Sequence, residues 1–384
     1  MINQKTHIAY VTGTRADFGL MTPVLLAIAK SKKLRLQVYA TGVHLLPEFG
    51  KTFQEVKRFF PAVKSIQAVF NQDQTTNMAD FIADFLPKLI KEFKRNRPDT
   101  VLVLGDRVEM LSVALACSYL RIPVVHLHGG DKTATIDDSA RHAITKLAHI
   151  HLPATKAAAE RLKRLGEEKW RIQVVGAPAL GNILSQPLPT REVLLNKFGI
   201  DPKEKFILLT LHPIGELPGL ERKQMRQVLA AVRNCKLPTI VIYPHPDKGG
   251  QLIIQEIESQ RHNSWLHICP SVPQLEFLAL EREAAVIVGN SSGAIIEAAS
   301  FHTPVVNVGP RQDGRIISKN IITVSYNTTA IQAGITFVLT NKQFRRKLAG
   351  VRNPWGDGQT APRVVKILEN ISLSGKILNK QITY

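Results

Sequence analysis

Short runs of aliphatic and β-branched residues alternate with amphipathic stretches from one end of the chain to the other. HIAYVTG from His7, LRLQVYAT from Leu34, TVLVLGD from Thr100, PVVHLHGG from Pro123 and HIHLPAT from His149 are apolar segments that close on Gly, Pro or a polar cluster. Such runs read as strands buried on both faces. Phe18 to Lys30 and Met78 to Asn96 carry apolar residues at helical spacing instead, and the alternation predicts βαβ units forming a doubly wound parallel sheet. The periodicity breaks at Gly176-Ala177-Pro178 and again at Gln186-Pro187-Leu188-Pro189. Beyond the breaks a second series begins: KFILLTLHP from Lys205, TIVIYPHP from Thr239, WLHICP from Trp265, AAVIVGN from Ala284 and TPVVNVG from Thr303. The expectation is two Rossmann-like domains in tandem, over residues 1–180 and 181–361, with a C-terminal helix and tail over 362–384 that crosses back onto the first domain.

Length and composition agree with that picture and narrow it. A chain of 384 residues is too long for one ordinary core and suits two,. With 44% hydrophobic and 21% charged residues it is ordinary globular material,. No run approaches the length of a membrane span, and the stretch after Lys5 is too short for a signal sequence,. A soluble cytoplasmic protein is expected. Cys117, Cys235 and Cys269 are odd in number and far apart, so they read as buried thiols rather than a disulfide framework or zinc site,. A net charge of +19 admits nucleic acid, a membrane surface or an anionic small molecule as partner,. The basic residues are spread along the chain without aromatic interleaving or a nucleic-acid motif, which disfavours the first of these,.

Ligands of open α/β sheets collect at the carboxyl ends of strands, and five polar clusters stand there: Gly13 to Asp17, Gly105 to Arg107, His126 to Asp138, Leu211 to Pro213, and Gly289 to Gly293. In the last, two Gly and two Ser separate a strand from a helix, a loop whose N–H and hydroxyl groups suit a diphosphate,. Glu297, one helical turn beyond, is placed to accept ribose hydroxyls,. A plain Ser/Asn helix cap beside a solvent-facing Glu fits the same spacing. Arg15, Arg107 and Arg311 each follow a strand end and are candidate phosphate ligands,. The stretch from His126 to His142 holds three histidines and three aspartates. His126, His128 and Asp131 fit either a metal set or acid/base chemistry, and the second is preferred because no further ligand cluster accompanies them. His212 and His245 each precede a proline after a strand, which by itself is compatible with a structural role.

Taken together, GTRADFG at Gly13, LGDR at Leu104, HLHGGDKTATIDDSARHAITKLAH at His126, LHP at Leu211, GNSSGAIIEA at Gly289, GPRQDGR at Gly309 and NPWGDGQTAPRVVKIL at Asn353 resemble the hydrolysing UDP-N-acetylglucosamine 2-epimerases over nearly the whole chain. The resemblance implies a GT-B fold, two Rossmann-like domains with the active site in the cleft between them. It implies that UDP-N-acetylglucosamine and water give N-acetylmannosamine and UDP by elimination to a glycal and rehydration, for sialic acid synthesis, with neither cofactor nor metal, in a homo-oligomer, dimer or tetramer. Asp106 and Asp137 become the acid/base carboxylates and His212 a partner near the diphosphate. Arg15, Arg107, Ser291, Ser292, Glu297 and Arg311 would hold UDP. Two departures stand out. His128 occupies a position where some relatives carry a catalytic Glu, which makes His128 and Asp131 joint candidates for the C2 base. His245 and Asp247 replace an Asn and Asp that relatives use toward the nucleotide. UDP-N,N′-diacetylbacillosamine is the rival substrate, as in a legionaminic acid type of pathway. GTRADFG and GNSSG argue against the non-hydrolysing branch, and the paired carboxylates Asp106 and Asp137 argue against a glycosyltransferase.

Overall fold

A computed structural model describes residues 5–46, 52–68, 77–133, 137–185, 187–214, 219–244, 249–373 and 375–383. One compact unit comprises Met1–Lys132, Ile136–Ser185 and Trp355–Tyr384, and the other is built on Gln186–Pro354. The first holds a six-stranded sheet of β1 (Thr6–Thr12), β2 (Leu34–Ala40), β3 (Lys64–Ser65), β4 (Thr100–Leu104), β5 (Val124–Leu127) and β6 (Ile150–Leu152), in the order β3-β2-β1-β4-β5-β6. The second holds β7 (Ile207–Thr210), β8 (Thr239–Ile242), β9 (Leu266–Cys269), β10 (Val286–Gly289), β11 (Val305–Val308) and β12 (Ile321–Val324), in the order β12-β11-β10-β7-β8-β9. All pairings are parallel. Read from its opposite edge, the second order repeats the first, so each unit is a Rossmann-type sheet whose direction of growth reverses once, beside its first strand.

The interior strands are those the apolar runs predict. Every residue of β4, β5, β7, β10 and β11 is buried, as helices on both faces of a parallel sheet require. Two edge strands were not among the predicted ones. β3 has only two residues, too few to show a period, and β12 mixes buried with exposed positions because a single neighbouring strand, β11, pairs with it.

The first helix, Arg15–Lys30, begins before the predicted Phe18 because Thr14 and Asp17 form a capping box at its start,. Pro23 lies inside it and leaves the Gly19 carbonyl without its helical donor,. Asn182 supplies the missing bond, its Nδ2 donating to Gly19 O at 2.9 Å. The helix Thr360–Asn370 lays Val364 and Leu368 into the same core as Leu25, Ile28 and Phe85 of the first unit. Arg171, wholly buried, ties the segment beyond it by donating to the carbonyls of Ile377 at 2.8 Å and Asn379 at 2.9 Å. Cys117 is buried, whereas Cys235 and Cys269 are half-exposed, so the expectation of three buried thiols holds only for the first. Among the described residues no helix is long and apolar enough to cross a membrane.

Candidate functional site

The strand order reverses between β1 and β4 in the first sheet and between β7 and β10 in the second. At such a point the two neighbouring loops diverge to opposite faces and leave a crevice at the strand ends. The loops there begin at Gly13, Gly105, Leu211 and Asn290, four of the five clusters singled out from sequence. The fifth follows β5, next to β4 in the sheet.

In the first unit, an arginine organises the acidic residues. Arg141, on the helix Asp137–Leu147, is almost entirely buried and forms ion pairs with Asp106 and, at 2.7 Å, with Asp138. Its Nη1 also donates to the Asp131 carbonyl at 3.0 Å. One guanidinium thereby fixes the ends of the β4 and β5 loops to the helix that follows. Asp131 turns its carboxylate to His128, accepting from Nδ1 at 2.7 Å. That bond puts the Nδ1 proton toward Asp131 and leaves Nε2 as the site for proton exchange. His128 sits just past the end of β5 with a left-handed φ of 61°, and its ring lies 6.3 Å from that of Trp355. His126, two residues earlier, is wholly buried and hydrogen-bonds the Gly105 carbonyl through Nε2 at 2.7 Å. Burial pushes its pKa down to about 3, so it is a neutral strut between the two loops.

The loop after β1 is shaped by Asp17. Its carboxylate accepts from the backbone N–H of Gly13 at 3.0 Å and of Thr14 at 2.9 Å, and from the hydroxyls of Thr14, Thr12 and Tyr10. Burial still raises its pKa, against the opposing pull of Thr12 and Arg107. Arg15 follows this cap in the first helical turn and pairs with Glu55 at 2.9 Å. Arg107 pairs with Glu109 at 3.2 Å, and Glu109 is wholly buried. A Cβ built on Gly13 would overlap the Glu109 carboxylate, so the glycine of GTRADFG is what lets this ion pair underlie the loop.

In the second unit, Asn290 is the hub. Wholly buried, it accepts from the His212 backbone N–H at 2.7 Å and donates to the His212 carbonyl at 2.9 Å and to the Tyr326 hydroxyl at 3.2 Å. Its own carbonyl accepts from Arg311 at 3.0 Å and Gln312 at 2.7 Å. One side chain and one carbonyl thus lock the loops after β7, β10 and β11 together. Gly289 has φ 131°, and a Cβ there would collide with the Thr210 carbonyl, so only glycine fits. Ser291 caps the short helix Ser292–Ile296, accepting from Gly293 N–H at 3.2 Å.

Glu297 is not solvent-facing. It is 2% exposed, and Glu281, on the helix Gln274–Glu283, is 0% exposed. Among the described residues neither oxygen of Glu281 nor Oε1 of Glu297 has a hydrogen-bond partner. Burial lifts Glu281 well above the carboxylate range and Glu297 to about 8. Because both folded-state values are raised, the associated stability is complete below the ordinary 4.5 and is lost as pH rises toward 8,. The double variant Glu281→Gln, Glu297→Gln is expected to flatten the fall in Tm over that window in differential scanning fluorimetry. A profile as steep as that of the native chain would refute the assignment.

A family model described as UDP-N-acetylglucosamine 2-epimerase matches residues 26–369. The chain belongs to this family. It is 39% identical over 378 residues, 98% of its length and 99% of the relative's, to a UDP-N,N′-diacetylbacillosamine 2-epimerase (hydrolyzing) of Legionella pneumophila. It is 34% identical to a UDP-N-acetylglucosamine 2-epimerase of Neisseria meningitidis, covering 84% of this chain and 85% of that one. Among solved structures, a UDP-N-acetylglucosamine 2-epimerase from Listeria monocytogenes superposes with a TM-score of 0.80 at 22% identity, over 95% of this chain and 96% of that one. The likeness establishes the GT-B fold class expected from the sequence, two parallel six-stranded sheets flanked by helices.

In this member of the family the structure groups Asp106, Asp131 and His128 with Arg141, and groups His212, Ser291 and Arg311 around Asn290. Ser292 opens the short helix. Arg15 and Arg107 are held by Glu55 and Glu109. Asp137 begins its helix, while its side chain, His245 and Asp247 lie outside the described residues. Sequence reasoning gave no role of their own to Arg141, Asp138, Glu109 and Glu281, and took Asn290 only as part of the Gly289 to Gly293 loop. For the first two a signal was present, since Asp138 and Arg141 stand at the (i, i+3) spacing that pairs side chains on a helix,.

Proposed function

We propose that the chain is a hydrolysing UDP-sugar 2-epimerase that takes a UDP-linked 2-acetamido sugar and water to UDP and the free C2 epimer. The observation that carries the reading is the cluster of Asp106, Arg141, Asp138, Asp131 and His128, which sets carboxylates and an oriented imidazole at the strand ends of one sheet. Such groups perform acid/base chemistry on a carbon acid and a leaving oxygen. In the first half-reaction a base takes the C2 proton and the C2–H electrons form the C1–C2 double bond as the anomeric C–O bond breaks, giving a glycal and UDP. In the second, water adds its hydroxyl at C1 and a proton is delivered to the opposite face of C2. His128, oriented by Asp131, is the base, and Asp106 with Asp137 serve the second proton and the water. UDP departs onto the Gly289 to Gly293 loop, where Arg311 and the N–H groups stabilise its charge without a metal.

The identity and coverage of the Legionella relative favour UDP-N,N′-diacetylbacillosamine as the substrate. UDP-N-acetylglucosamine, giving N-acetylmannosamine, is the second reading, favoured by the Neisseria relative. Incubation with each in deuterated water, followed by NMR, tests both. Free sugar carrying deuterium at C2 is expected from one of them. UDP still attached to the epimerised sugar, or no turnover of either, would overturn the proposal. Asp131→Asn is expected to slow C2 deuteration by about 10²-fold, at the low end of what general-base catalysis contributes, with KM little changed. Equal loss in KM would point to a binding role instead.

A further inference from the structure

The helix Asp137–Leu147 is fixed near its start by Arg141, and at its other end by Lys380, 235 residues beyond Thr145 in sequence. A helix leaves its last carbonyls without donors. Here the Ile144 carbonyl accepts from the N–H of Ala148 at 2.8 Å. The next two carbonyls, of Thr145 and Lys146, accept from the Lys380 ammonium, each at 3.0 Å. The same ammonium meets Glu167 Oε2 at 2.7 Å. Three acceptors match its three N–H donors, and its positive charge sits where the helix dipole favours it.

Glu167 is built to hold that ammonium. Its side chain is 1% exposed, its Oε2 also accepts from His151 Nε2 at 2.8 Å, and its Oε1 accepts from Lys146 at 3.1 Å. Burial opposes its ionisation, but the hydrogen bonds and charges of His151 and Lys380 outweigh burial and hold its pKa at about 2. It is therefore a carboxylate near neutral pH. The segment that carries Lys380 is pinned on both sides of it: Arg171 donates to the Asn379 carbonyl at 2.9 Å, and the Gln381 N–H donates to Glu168 at 3.3 Å.

The helix that these groups cap opens with Asp137 and carries Asp138 and Arg141 in its first turns. Arg141 joins it there to Asp106 and to the Asp131 carbonyl. We propose that Lys380 is a positioning residue for the acid/base groups. By capping the last turn and tying it to Glu167, it sets where the helix lies along its axis, and so where its first turns place Asp137 and Arg141. An eleven-residue helix is about three turns long,, short enough to move as one piece, so a last turn that loosens displaces the first. This rests on the reading of Asp137 and Asp106 as the groups that serve the second proton and the water.

The test uses the full chain and whichever of the two UDP-sugars it turns over. Lys380→Met keeps an unbranched apolar stem and removes the ammonium. Its kcat is expected to fall by about 10- to 10²-fold, the effect of displacing reacting groups by up to about 1 Å. KM and UDP affinity should stay unchanged, because the loops proposed to hold UDP belong to the other unit. In Lys380→Ala, propylammonium, which replaces the missing stem and charge, should restore kcat saturably. Tetramethylammonium carries the charge without an N–H and should not. Native kcat in Lys380→Met, measured well below the Tm of each protein, would show that the cap only stabilises the unit and would overturn the inference. A fall in UDP affinity that matches the fall in kcat would overturn it too, as would failure of propylammonium to restore Lys380→Ala. Should Lys380→Met not fold, Lys380→Arg decides. It keeps the charge, but its planar fork cannot meet three acceptors around one nitrogen, so kcat should fall at unchanged KM, and native kcat would refute the positioning role. A native chain that turns over neither UDP-sugar defeats the proposed function before any variant is made, whereas an active native chain with an indifferent Lys380→Met defeats only this inference.

Discussion

Asp106→Asn is expected to lower kcat by about 10²- to 10⁴-fold, the range that a positioned acid or base contributes, and to leave UDP affinity unchanged. The side chain stands in the turn just after β4 and is partly exposed, at 21% of its side-chain surface, while its partner Arg141 is at 3%. An amide still accepts one hydrogen bond from the guanidinium, so the loop keeps its shape and the change is confined to the proton. UDP is proposed to bind the loops after β7, β10 and β11, none of which Asp106 helps to build. Steady-state kinetics with the true substrate, paired with UDP titration, separates the two quantities. A variant with full turnover would remove Asp106 from the chemistry, and one that loses UDP affinity in proportion would make it a nucleotide ligand.

Arg141→Leu is expected to be the most damaging single substitution to the first unit. The guanidinium is nearly buried and serves Asp106, Asp138 and the Asp131 carbonyl at once. Removing it takes away the cation that Asp106 and Asp138 share. Breaking a buried pair in this way costs about 3–5 kcal/mol, which for a unit of this size lowers Tm by on the order of 10 °C. Turnover should fall as well, because the loops after β4 and β5 lose the group that holds them to the following helix. Thermal denaturation and kcat are measured on the same preparation. A Tm within about 2 °C of the native chain, the shift that about 0.5–1 kcal/mol would give, would show that solvent already compensates these carboxylates. Arg141→Lys keeps the charge but loses the fork, and is expected to recover stability more than activity.

Much of the architecture was legible because parallel strands buried on both faces leave an unbroken apolar signature. The runs at His7, Thr100, Pro123, Lys205, Ala284 and Thr303 contain or overlap interior strands of the two sheets. The edge strands β3 and β12 lacked that signature, being very short or half-exposed. The candidate residues were legible for a related reason. Polar side chains directly after an apolar run are conspicuous, which is how Asp106, Arg107, His212 and the Gly289 loop drew attention. Their partners were not conspicuous. Asp106 meets Arg141 across 35 residues of sequence, and His212 meets Asn290 across 78, separations at which no local pattern announces a contact. Glu109 lies in the first turn of a helix and is wholly buried under Gly13.

By itself, then, the chain's order of apolar runs determined two Rossmann-type units, since a buried parallel strand must be apolar throughout and must be followed by a crossover helix. It also determined the loops from which chemistry would come and, through its motifs, the family. Tertiary structure alone decided the protonation and pairing of the residues in those loops. A carboxyl's charge depends on burial and on which donors reach it, and both are set by elements distant in sequence. Glu297 read as a solvent-facing or ribose-facing carboxylate from its spacing. The structure buries it, as it buries Glu281 on the helix Gln274–Glu283, and the loss of water lifts the pKa of both.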